Sequence, residues 1–71
     1  MDDFLQRLKD EAADLALKLT ALNSFMSTQR FVDLDRANKD LLYSQQRSMS
    51  KYLQILGQRL ELLGSSFEFK K

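Results

Sequence analysis

A chain of 71 residues holds one domain at most, and a two-element domain of that size buries too little apolar surface to stand alone. It has no cysteine and no histidine, which excludes disulfides, Cys/His zinc clusters and histidine acid–base chemistry and leaves self-association as the expected source of further burial. With 44% hydrophobic residues, 30% charged residues and a net charge of +1, the chain is neither disordered by composition nor basic enough for a dedicated DNA-binding domain.

Proline is absent and the only glycines are Gly57 and Gly64, so helix is expected almost throughout. The chain opens on Met1-Asp2-Asp3, acidic where an export signal is basic, and no apolar run approaches the ~20 residues of a membrane span. A soluble, intracellular protein is expected. The first helix is predicted over about residues 3–27, capped by Asp2 or Asp3. Its heptad seam is formed by Leu5, Ala12, Leu19 and Met26 in one column and Leu8, Leu15 and Leu22 in the other.

Residues 27–34 break the heptad, and Phe31 and Leu34 are read as plugs at the end of a hairpin. Asp35 is a good N-cap for a second helix over about 36–63, which Gly64 and two serines stop. One column of this helix reads Leu42, Met49, Leu56, Leu63, and the column beside it is read as Gln45, Tyr52, Arg59. Leu41, Leu53, Ile55, Leu60 and Leu62 widen the apolar face beyond what one partner helix covers, which implies a second contact surface. The tail, residues 64–71, ends in Phe67-Glu68-Phe69-Lys70-Lys71, whose alternation suits a short strand or a docking arm. The fold expected is all-α: one domain over residues 1–71, a two-helix antiparallel hairpin that assembles into a homo-oligomer.

Enzymatic chemistry finds no support, because the sequence carries no phosphate loop, no nucleophile elbow, and no His or Cys. No cofactor and no metal site are expected. Asp10, Glu11 and Asp14 are the best candidates for a hard cation, against the plainer reading of a solvated acidic face. Helix two is more informative: between Asp40 and Glu61 it has no acid but carries Arg47, Lys51 and Arg59. Guanidinium groups suit phosphate, and Tyr43 and Tyr52 offer rings and hydroxyls for a base. The plainer readings are a solvated basic face and a core tyrosine. Phe4 beside Arg7 repeats the aromatic–guanidinium pairing near a helix start. Ser24, Ser27 and Thr28 cluster at the bend, where hydroxyls usually cap helix ends. Only oligomerisation brings these groups into one pocket.

The run Arg7-Leu8, Leu15, Leu19, Leu22, Phe25-Met26-x-Thr28-x-x-Phe31, Leu41-Leu42-x-x-Gln45, Met49, Tyr52, Ile55-Leu56 and Arg59 resembles the helical-hairpin domain shared by phage anti-CBASS and anti-Thoeris sponge proteins. The resemblance spans residues 4–63 and is most specific from Leu41-Leu42 to Arg59. It implies a phage protein in the cytoplasm of the infected bacterium, assembled as a homohexamer of interlocked hairpins. Such a protein captures cyclic di- or trinucleotide signals without cleaving them, and touches neither membrane nor long nucleic acid. The anti-Thoeris relatives add a β-rich domain for a cyclic ADP-ribose isomer that 71 residues do not accommodate, which favours cyclic oligonucleotides. The same resemblance suggests Arg7 and Arg59 for phosphate, Thr28 as a hydroxyl donor, Phe4 or Tyr52 for stacking, and Lys51 as a further contact. One departure is Ala12, where the family often has a lysine. The rival readings are an adaptor hairpin that binds a protein through its apolar C-terminal face, and a salt-sensitive binder of linear nucleic acid.

Overall fold

The computed structural model describes residues 3–64. The tail Phe67–Lys71 and the alternative cap Asp2 lie outside the described residues. The described chain is all-helical: α1 spans Asp3–Phe25, a single-turn α2 spans Gln29–Val32, and α3 spans Arg36–Leu62. Among these residues no helix is long and apolar enough to cross a membrane.

Helix α1 ends two residues earlier than position 27, because Ser27 and Thr28 turn their hydroxyls onto the helix end. Ser27 Oγ donates to the Asn23 carbonyl at 3.2 Å, and Thr28 Oγ1 donates to the Phe25 carbonyl at 2.6 Å. Thr28 then caps the next turn, its Oγ1 accepting from the Phe31 amide at 3.4 Å. This extra turn was not expected from the sequence. It carries Phe31 inward, where its ring meets those of Phe25 and Tyr43 edge to face at 6.2 and 5.5 Å. Phe31 is buried and Leu34 half-buried, so Phe31 is the principal plug.

Asp35 caps α3, accepting from the Asn38 backbone amide at 3.3 Å and from the Asn38 side-chain amide at 2.7 Å. These two bonds hold its carboxyl below the ordinary value of 3.8. At the far end Gly64 takes φ +80°, and its amide donates to the Glu61 carbonyl at 3.0 Å. A residue with a Cβ is strained in that left-handed conformation, so a glycine ends the helix there.

Helices α1 and α3 lie side by side in opposite senses, since Glu11 bonds Tyr52 while Asn23, farther along α1, bonds the earlier residue Gln46. Their shared core consists of Leu8 and Ala12 from α1 against Leu53, Leu56 and Leu60 from α3, with Leu5, Leu15, Ala16 and Leu19 packed around it. The α1 seam follows the expected columns through Leu5, Leu8, Ala12, Leu15 and Leu19, with Ala16 added, while Met26 falls past the end of the helix. The α3 seam does not: Gln45, Tyr52 and Arg59 are exposed, and the second column is Gln46, Leu53, Leu60, one residue later. That register buries two leucines and keeps Tyr52 and Arg59 at the surface, which is the cheaper arrangement. Leu53 and Leu60 therefore belong to the seam, while Leu41, Ile55 and Leu62 stay exposed on another side of α3.

Candidate functional site

The shifted register decides which side chains share a surface. Tyr52 precedes Leu53 and Glu11 precedes Ala12, so both stand on the same flank of the seam, and there the Tyr52 hydroxyl donates to the Glu11 carboxylate. One heptad further along each antiparallel helix, in opposite chain directions, the same flank carries Phe4 on α1 and Arg59 on α3. Arg7, between Phe4 and Glu11 in the helical row, lies on the outer side of that flank, and Lys51 stands beside Tyr52. Four of the six residues singled out by sequence (Phe4, Arg7, Tyr52 and Arg59) thus lie along one flank of the α1–α3 pair, while Lys51, two residues before the seam residue Leu53, faces away from α1; all five are exposed. Thr28 does not join them, since about 27 Å of helix separates Arg7 from the end of α1.

An open depression of about 470 Å³ lies on α3 between Arg47, Ser48, Lys51, Tyr52 and Ile55. Arg47 and Lys51, four residues apart, supply two cations on one side; Ser48 and Tyr52 supply hydroxyls; Ile55 supplies an apolar patch. Arg47 Nη2 donates to Ser44 Oγ at 3.4 Å, and none of Arg47, Lys51 or Arg59 forms an ion pair among the described residues. Arg47 was visible in the sequence as part of the basic stretch. Its place in the depression, with Ser48 and Ile55, follows from the seam register and was not.

The Tyr52 phenol is held above its ordinary value of 10.0, first by the hydrogen bond to Glu11, then by desolvation and the Glu11 charge, with Arg59 pulling the other way. Tyr43 stands apart from this face, against Phe31 at the bend. The acidic trio does not converge: Asp10 accepts from Gln6 Nε2 at 2.9 Å, Asp14 pairs with Lys18 at 3.3 Å, and Glu11 holds Tyr52. No group of three metal-ligating side chains gathers among the described residues. Ala12 is fully buried in the seam, so the position at which the resembling family often has a lysine is here a packing position, not part of the open face.

A family model described as Sequestin matches residues 2–62. The chain is also similar to a protein of Enterobacteria phage T4, described as an uncharacterized 7.5 kDa protein in the denB–rIIB intergenic region. The two are 35% identical over 54 residues, which cover 76% of this chain and 84% of that protein. No solved structure matches the chain. The family match takes in all three helices and every residue of the open face, and on that ground the chain belongs to the Sequestin family.

Proposed function

We propose that this chain is a phage anti-defence sponge, which binds cyclic di- or trinucleotide immune signals in the cytoplasm of the infected bacterium and holds them without cleaving them. The observation that carries this reading is the open depression on α3, where the cations of Arg47 and Lys51 stand beside the ring of Tyr52 and the hydroxyl of Ser48. Phosphodiesters meet guanidinium and ammonium groups there, and a base meets Tyr52 or Phe4. The family's name agrees with a sequestering role, and the relative in a phage agrees with a phage protein.

On this reading the helical hairpin works as a homo-oligomer, a hexamer by resemblance. A depression open on one chain becomes a closed pocket between copies, and Thr28 reaches the ligand from a neighbouring protomer. Preorganised side chains reduce the ordering cost of binding. Arg59→Ala and Arg7→Ala should each weaken binding of a cyclic dinucleotide by about tenfold or more, the usual cost of removing a charge-assisted contact. Calorimetric titration of both variants checks this, and unchanged affinity in both removes the two arginines from the site.

The exposed column Leu41, Ile55, Leu62 favours a second reading, an adaptor that docks on another protein. An adaptor gains no thermal stability from cyclic nucleotides, whereas a sponge does.

A further inference from the structure

Leu41, Ser48, Ile55 and Leu62 recur every seven residues along α3 and form one exposed column outside the α1–α3 seam. Three of them are large and apolar, and Ser48 is the gap. The open depression lies at that gap. Ser48, Lys51, Tyr52 and Ile55 of its lining stand at positions i, i+3, i+4 and i+7, the diamond into which a neighbouring helix packs. The diamond is centred between Lys51 and Tyr52, which is also the midpoint of the column from Leu41 to Leu62.

That shared midpoint makes the column complementary to itself. Laid antiparallel on a second copy about the midpoint, it sets Leu41 against Leu62 of the second copy and the small Ser48 beneath Ile55 of the second copy, and both matches occur twice. A parallel pair in register stacks Ser48 on Ser48 and leaves a void. A parallel pair staggered by one heptad makes a head-to-tail contact that does not close, whereas the antiparallel pair closes by two-fold symmetry. Charge argues weakly the other way: α3 has no acid between Asp40 and Glu61, and the two Lys51 side chains come near each other at the midpoint. Both are exposed and screened by salt, so their repulsion is small beside the burial of six large apolar side chains.

We infer that α3 pairs antiparallel with α3 of a second copy across the Leu41, Ser48, Ile55, Leu62 column, so that the two depressions close on each other into one cavity to which each copy contributes Lys51 and Tyr52, with Arg47 at the rim. This deepens the oligomeric part of the sequestration reading and requires no ligand.

The chain has no cysteine, so single-cysteine variants carry a spin label at one place only. Lys51 and Ser44 are exposed, one heptad apart and outside the column. Distances between labels on paired full-length chains, measured by electron spin resonance, should be about one helix spacing, roughly 10 Å, in Lys51→Cys. In Ser44→Cys about 22 Å of helix should separate them, whereas a parallel pair in register gives roughly 10 Å at both positions. Ile55→Glu introduced into each labelled chain should abolish both couplings with helix content retained by circular dichroism. Because like charges meet at the midpoint, pairing should tighten as salt is raised. Equal distances at the two positions, no coupling at either, couplings unmoved by Ile55→Glu, or pairing that loosens with salt overturns the inference and leaves nucleotide sequestration standing. Failure of the chain to bind any cyclic nucleotide overturns sequestration and leaves the pairing of α3 untouched.

Discussion

Tyr52 links the packing of the two helices to the chemistry of their open face. Its hydroxyl ties α3 to Glu11 on α1, and the same bond raises its pKa above 10.0. A raised pKa in the folded state means that the bond's contribution is fully present below the unfolded value and is lost as pH rises through the folded one. The melting temperature of the native chain should therefore fall above pH about 10 more steeply than that of Tyr52→Phe, which has no phenol to ionise. Parallel curves for the two proteins would mean that the bond adds nothing to stability. Gly64 illustrates a different residue-level constraint, since its φ of +80° asks for a residue without a Cβ whatever space surrounds it.

The helical elements stand on a small core. Leu56 is fully buried between α1 and α3, and Leu56→Ala should destabilise the chain by about 2–5 kcal/mol, measured by chemical denaturation followed by circular dichroism. A loss below about 1 kcal/mol would show that the seam is not where the helices are held together. Much at this scale was legible beforehand. The α1 columns, the Asp35 cap and the stop at Gly64 could be read directly, because heptad spacing, an N-cap carboxylate and a left-handed glycine each leave a local mark. The α3 seam was misread by one residue, since Tyr52 and Leu53 both satisfy a hydrophobic pattern and only the packed partner separates them. The turn Gln29–Val32 was hidden for a related reason: it is made by the Thr28 cap and the burial of Phe31 rather than by periodicity. The candidate face was partly legible. Residue types pointed to the basic stretch Arg47, Lys51 and Arg59 and to Tyr52, but that Arg47, Ser48, Lys51, Tyr52 and Ile55 share a depression, and that Tyr52 meets Glu11, follows only from the register.

At the scale of the whole molecule the question is what covers the surface that one chain leaves bare. Among the described residues only Leu8, Ala12, Phe31, Leu53, Leu56 and Leu60 are buried apolar side chains, a small core for two long helices, while Leu62 is 88% and Leu41 67% exposed. Exposed surface pairs such as Lys18–Asp14 and Arg36–Asp40 add little. Self-association through the Leu41, Ile55, Leu62 column therefore predicts that Leu62→Glu yields a smaller species with helix content retained, as read by sedimentation and circular dichroism. An unchanged molar mass would exclude that column as the contact between copies.

The central claim is sequestration, and thermal melts test it most directly. The full chain is melted with cyclic di- and trinucleotides, linear dinucleotides and cyclic ADP-ribose isomers, and the bound ligand is recovered after denaturation. The account predicts a rise in melting temperature confined to cyclic oligonucleotides, by about 2.7 kcal/mol of added stability at a hundredfold excess over Kd, with the ligand returned intact. No shift with any cyclic oligonucleotide, or a ligand returned cleaved, would contradict it.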